Sequence, residues 1–184
     1  MDDSDAIRRM KQGDPGGLGP LMERYQVQAA RAAFLITHDN GLAEDVVQDT
    51  FVRIYEKIRQ FDDARPFQPY LMQSVVHAAL NAVRGQSRIS SLDSKQDEVK
   101  ALLDRAGSVE SEVEFAQLQR DILAALSKLP PRQREVVVQR YYLEMSEKEM
   151  GEASGTAPGT IKWLLNTARR KLRELLGQKG ASNE

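Results

Sequence analysis

Apolar residues recur at helical spacing along almost the whole chain, and no strict alternation long enough for a strand stands out. Between 43 and 58, Ala43, Val46, Val47, Thr50, Ile54 and Ile58 fall on one stripe, broadened by Phe51 and Tyr55. Between 70 and 84, Leu71, Val75, Ala78, Ala79 and Ala82 form a second. Leu21, Tyr25, Ala29, Ala32, Ala33 and Ile36 form a weaker third over 20–37. Upstream, Gly13, Pro15, Gly16, Gly17, Gly19 and Pro20 break or shorten any helix. The pattern predicts an N-terminal bundle of about three main helices over 20–90.

Residues 85–117 are polar, acidic and punctuated by Gly85, Ser87, Ser90, Ser91, Ser94, Gly107 and Ser108. Loops of that length are uncommon inside a compact domain, so a tether is expected, with room for a short helix at 96–105. A second helical unit follows. A helix over 115–127 uses Leu118, Ile122, Leu123 and Leu126, and Pro130-Pro131 opens another that buries Val136, Val137 and Tyr141. Ser146 and Glu149 have capping-box spacing, and Gly155 suits the end of the helix they open. After Pro158, Ile161, Leu164, Leu165, Ala168, Leu172, Leu175 and Leu176 make an apolar stripe. A short capped helix, a tight turn and a longer helix over 146–176 form a helix-turn-helix pattern. The expected fold is all-α, with two small helical domains at 1–90 and 118–180 joined by a flexible acidic linker at 91–117.

Composition narrows the chemistry. The chain has 184 residues, no Cys and two His, which excludes disulfides, thiolate metal sites and Cys nucleophiles. No Gly-rich phosphate loop, Ser/His/Asp set or inward carboxylate pair stands out, so no catalytic residue, metal site or cofactor is expected. No apolar run approaches the ~20 residues that span a bilayer. The Met-Asp-Asp-Ser-Asp start has no secretory character, so the expectations are a cytoplasmic protein and no membrane insertion. A net charge of −1 argues at first against a nucleic-acid partner. The charges are segregated, however. Residues 93–117 carry three cations and seven anions, whereas 118–184 carry twelve cations and eight anions. The basic C-terminal helix is masked by the acidic middle.

Three constellations could carry function. On the last helix, Trp163, Asn166 and Arg170 share one side, and Lys162, Asn166, Arg169 and Arg173 the adjacent one. Asn can pair with adenine edges, Arg with guanine and apolar surface with the thymine methyl, while Lys and Arg neutralise phosphates. Gly159, Thr160, Lys162 and Trp163 would enter a major groove deepest. On the helix at 43–58, the outer face carries Asp45, Gln48, Asp49, Val52 and Glu56, which suits an Arg-rich partner helix and also suits plain solvent. In 59–88, Arg59, Phe61, Arg65, Phe67 and Tyr70 precede a helical face of Gln73, His77, Asn81, Arg84 and Arg88. Interleaved aromatics, cations and amides can hold unstacked bases. Phe61 and Phe67 could instead plug the bundle core.

In their order, these segments resemble bacterial RNA polymerase sigma factors of the extracytoplasmic-function class, in the sigma-70 family. The resemblance covers nearly the whole chain. It is carried by Gly13-Asp14-Pro15 with Glu23-Arg24-Tyr25, by Ala43-Glu44-Asp45-Val46-Val47-Gln48-Asp49-Thr50-Phe51, and by Phe67 through Leu71 and on to Arg84. It continues through Leu129-Pro130-Pro131-Arg132-Gln133-Arg134-Glu135-Val136, Gly159-Thr160-Ile161-Lys162 and Ala168-Arg169-Arg170-Lys171-Leu172.

The resemblance implies a promoter-specificity factor, not an enzyme, that binds core RNA polymerase and directs initiation at −10/−35 promoters in a stress or envelope response. It implies polymerase contacts at Glu44, Asp45, Gln48, Asp49, Phe51 and Val52. It implies single-stranded −10 contacts at Phe61, Arg65, Phe67, Tyr70, His77, Asn81, Arg84 and Arg88. Duplex −35 contacts fall at Pro158, Gly159, Thr160, Lys162, Trp163, Asn166, Arg169, Arg170 and Lys171. An anti-sigma partner is implied by the class alone. The chain departs from the family pattern at Tyr70 (usually Trp), His77 (Asn), Asn81 (Asp), Met150-Gly151 (Ile-Ala), Trp163, Leu164 and Thr167. Two alternatives stand beside this reading: a free-standing helix-turn-helix regulator acting without polymerase, and a purely protein-binding helical adaptor.

Overall fold

The computed structural model describes residues 2–86 and 109–180, and among these every regular element is helical. The chain divides into two compact units, Met1–Gln86 and Ser87–Glu184. The expected short helix at 96–105 and the linker up to 108 lie outside the described residues.

In the first unit, α1 spans Asp3–Lys11, α2 Leu18–Thr37, α3 Asn40–Lys57 and α4 Phe67–Gln86, with 3₁₀ turns at Pro15–Gly17 and Ile58–Gln60. Helices α2, α3 and α4 pack on one another, and α1 lies against α2 and the 58–60 turn. The three expected stripes form this core. Ala43, Val46, Val47, Ile54 and Ile58 are buried from α3, with Leu71, Val75 and Ala79 from α4 and Leu21, Tyr25 and Ile36 from α2. Thr50 is buried too, its hydroxyl donating to the Val46 carbonyl at 2.7 Å, so the polar group is satisfied within its own helix.

Helix α1 was not expected from the Gly/Pro-rich opening. The Asp2 carboxylate caps it by accepting from the Asp5 amide at 2.8 Å, and Ala6, Ile7 and Met10 are buried. The glycines after it permit its docking instead of preventing the helix. Gly13 takes φ +87°, and a Cβ on Gly17 would stand 2.3 Å from the Ala6 carbonyl oxygen. Arg9 then donates to Asp14 at 2.7 Å; that bond and the Gly16 amide hold the Asp14 carboxyl below its ordinary range.

In the second unit, α5 spans Val109–Ser127, α6 Pro131–Val137, α7 Glu147–Ser154 and α8 Pro158–Gly180, with a π-turn at Val138–Tyr142. Helix α5 starts six residues before the expected 115, so part of the expected linker is helical. Helices α5, α6 and α7 each pack against α8. Val136, Met145, Met150, Ile161, Leu164 and Leu165 form the core, with Leu143 against it. Shortening a fully buried member such as Leu165 to Ala would cost ~2–5 kcal/mol.

Two apolar expectations fail here. Leu118 and Ile122 are exposed on α5, whereas Leu123, Ala125 and Leu126 are buried. Tyr141 is 57% exposed, not buried. The reason is the π-turn: the Leu143 amide donates to the Val138 carbonyl at 3.1 Å, five residues back, and this wider turn shifts the register. Val138 and Gln139 turn inward and Tyr141 outward.

Candidate nucleic-acid interfaces

Helix α8 presents the first candidate surface, and α7 aims it. Ser146 and Glu149 form the expected capping box: the Glu149 amide donates to the Ser146 hydroxyl at 3.2 Å, and the Ser146 amide to Glu149 Oε2 at 2.7 Å. The Ser146 hydroxyl and amide hold the Glu149 carboxyl below its ordinary value. Gly155 closes α7 at φ +63°, and Pro158 opens α8 after a turn of three residues. A Cβ on Gly151 would come within 2.9 Å of the Thr156 carbonyl oxygen, so this departure from the family's Ala accompanies a close turn.

Arg134 ties the unit from behind. Its guanidinium donates to the carbonyls of Leu126 at 3.0 Å, Ser127 at 2.9 Å and Leu129 at 3.3 Å, closing the end of α5. Burial lowers its pKa from the ordinary value.

On this frame Pro158, Gly159, Thr160, Lys162, Trp163, Asn166 and Arg170 are all exposed, while Arg169 and Lys171 are half-buried. Trp163 is 62% exposed, so the helix buries Ile161, Leu164 and Leu165 and turns its one indole to solvent. Tyr141 was missed as a neighbour of this surface. Its hydroxyl accepts from Arg169 Nε at 2.6 Å, a bond between residues 28 apart whose only sequence signal is the doubled Tyr141-Tyr142 after Arg140.

The second candidate surface is the outer side of α3. Glu44, Asp45, Gln48, Asp49, Val52 and Glu56 are exposed, with Val52 at 53% as a lone apolar residue among acids and amides. Arg53 lies 3.7 Å from Asp49, one turn apart. Phe51 is a correction: it is 1% exposed, one of the largest fully buried side chains, because it belongs to the core stripe, and its ring has no surface to offer a partner.

The third surface lies where α3 ends and α4 begins. Lys57, Gln60, Phe61, Asp62, Arg65 and Tyr70 line an open cleft of about 380 Å³. Tyr25, Phe61, Phe67 and Tyr70 cluster beneath it. Ring centroids lie 6.1 Å apart for Tyr25–Phe67, 5.8 Å for Phe61–Phe67 and 4.9 Å for Phe61–Tyr70. Here too the structure corrects the expectation. Phe61 and Phe67 are both buried, so they plug the bundle core; Phe61 shows the cleft only part of its ring, and Tyr70 is half-buried. Burial, followed by the hydrogen bond to Asp3, raises the Tyr25 pKa. The Asp62 carboxylate accepts from the Ala64 amide at 3.0 Å and shapes the loop that carries Arg65. Arg65, His77, Asn81 and Arg84 are exposed, and Arg88 lies outside the described residues.

Among the described residues there is no group of three or more His, Asp or Glu that could hold a metal ion, and no helix long and apolar enough to cross a membrane.

Comparison with known proteins accounts for both units. The family model for Sigma-70 region 2 matches residues 21–89, and that for Sigma-70, region 4 matches 119–172. The chain is similar to RNA polymerase sigma factor CarQ of Myxococcus xanthus, with 27% identity over 172 residues covering 94% of this chain and 96% of the relative. It is similar to the ECF RNA polymerase sigma factor SigW of Bacillus subtilis (strain 168), with 26% identity over 176 residues covering 92% and 94%. The solved structure of CnrH in complex with the cytosolic domain of CnrY superposes with a TM-score of 0.66 at 26% identity, covering 96% of this chain and 97% of that one.

Proposed function

Because the chain belongs to the sigma-70 family of RNA polymerase sigma factors, in the extracytoplasmic-function class, we propose how its residues divide the work of a promoter-specificity factor. The first unit docks on core polymerase through Glu44, Asp45, Gln48, Asp49 and Val52, where an Arg-rich helix would find opposite charge around one apolar contact. The cleft bounded by Lys57, Gln60, Arg65 and Tyr70 receives an unstacked −10 base. His77, Asn81 and Arg84 follow the strand along α4. Helix α8 reads duplex −35 DNA, with Gly159, Thr160, Lys162 and Trp163 toward base edges and Asn166, Arg169, Arg170 and Lys171 along the backbone.

The observation that carries this reading is the two-sided character of α3. One side is wholly core; the other is an exposed acidic face around Val52. A free-standing helix-turn-helix regulator would have no use for that face, or for the cleft. The protein would act in the cytoplasm, where polymerase is. That CnrH was solved with the cytosolic domain of another protein supports a holding partner of the anti-sigma kind here too.

Transcription in vitro with core enzyme, on a library of promoter fragments, tests the division. Start sites should share a −10 and a −35 motif, and the −35 motif should change when Trp163 or Lys162 is replaced. Strong, sequence-specific binding by the chain alone, with no core-dependent start sites, would contradict it.

A further inference from the structure

The Tyr141–Arg169 pair joins the π-turn to α8. Tyr141 stands on the π-turn and is turned to solvent by it; Arg169 stands on α8, eleven residues after Pro158. Arg169 Nε donates to the Tyr141 hydroxyl at 2.6 Å, and its guanidinium lies 5.8 Å from the centroid of the Tyr141 ring. From the other side, Nη1 donates to the Asn166 side-chain oxygen at 3.3 Å. Both partners are neutral, and Arg169 makes no ion pair among the described residues. The guanidinium plane is therefore held by neutral groups, and among the described residues no carboxylate offsets its charge. An arginine held only for packing would more usually meet a carboxylate, which lowers the cost of holding the charge.

The place of Arg169 decides what that charge meets. At 1.5 Å per residue it lies roughly 16 Å along α8 from Pro158. The first turns of a groove-docked helix reach base edges, and residues this far along flank the backbone. Four other cations of 162–173 share α8 with it: Lys162, Arg170, Lys171 and Arg173.

We propose that Tyr141 is a positioning residue for promoter binding: it holds Arg169 in the orientation that meets a DNA phosphate beside the −35 element. The inference rests on the −35 reading of α8. It adds the π-turn to the DNA-binding surface, which neither the spacing of α8 nor the family models assign.

The test uses holoenzyme and a promoter duplex, with affinity measured across a salt series for Tyr141→Phe, Arg169→Ala and the double variant. Tyr141→Phe keeps the ring under the guanidinium and removes only the hydroxyl. It should weaken promoter binding about three- to tenfold, leave core binding and melting temperature unchanged, and have no further effect in the Arg169→Ala background. Arg169→Ala alone should lower the slope of log affinity against log salt by about 0.9. If Arg169→Ala matters but Tyr141→Phe does not, or the two effects simply add, the positioning role is overturned and the −35 reading stands. If Arg169→Ala changes neither affinity nor slope, the −35 reading of this part of α8 fails, and the proposal fails with it.

Discussion

The ammonium of Lys11 donates to the carbonyl oxygen of Phe61 at 2.8 Å, fifty residues further along the chain. A second bond, to Asp63 Oδ1 at 2.8 Å, fixes the same loop. The Lys11 side chain is mostly covered, which shields its bond to the Phe61 carbonyl, whereas Asp63 is 67% exposed and its ion pair is screened as a surface pair is. The end of α1 thus anchors the loop that walls the cleft, and the Gly13–Gly17 turn, which looks like a helix breaker in sequence, is what brings α1 there.

Replacing Lys11 with Met keeps the stem and removes both bonds. Stability should fall by only about 0.5–1.5 kcal/mol, the net value of such bonds. Promoter opening should suffer more, because the loop with Asp62 and Arg65 loses its tie. Permanganate reactivity of −10 thymines in holoenzyme complexes measures this. Normal opening with reduced stability would show that Lys11 serves the fold alone.

The capping box makes a separate prediction. Ser146→Ala should cost about 1 kcal/mol and be read as faster hydrogen exchange at the α7 amides. The pH dependence has a definite sign. Because Glu149 is held below its ordinary value of 4.5, its contribution is fully present above that value and is lost as pH falls through the lowered one. The gap between wild type and Glu149→Gln should therefore be largest near neutrality and close in acid. Glu149 is exposed, so the effect is small. A gap that widened in acid would contradict the box.

Trp163→Ala separates reading from packing. The indole is 62% exposed and the core beneath α8 is filled by Ile161, Leu164 and Leu165. The melting temperature should therefore hold within a few degrees. Holoenzyme affinity for the promoter should drop roughly tenfold, within the ~1–3 kcal/mol of a good base contact. A large loss of stability with normal promoter binding would assign Trp163 to packing.

Much of this was legible in the sequence, because helical periodicity and cap chemistry are local. The α3 stripe, the Ser146–Glu149 box, the Gly155 stop and the outward Trp163 each depend on residues within a few positions of one another. Features set by distant contacts were not legible. Gly17 reads as a breaker until Ala6 is placed against it. Tyr141 reads as core until the turn before it widens by one residue. Phe51, Phe61 and Phe67 sit where motif spacing suggested contacts, yet the small bundle needs their bulk inside. A motif match marks which residues are characteristic without separating those that touch a partner from those that shape the surface.

The most direct test of the central claim is association with core polymerase. Gln48→Lys and Asp49→Lys together place two cations at the centre of the exposed α3 face and cut its charge from −4 to −1 over Glu44, Asp45, Gln48, Asp49 and Glu56, without touching a buried side chain. Wild type should co-purify with core enzyme and support promoter-directed initiation. The double variant should keep wild-type helicity and melting temperature while losing core binding. Unchanged core affinity in the folded double variant would contradict the docking assignment of α3 and the account built on it.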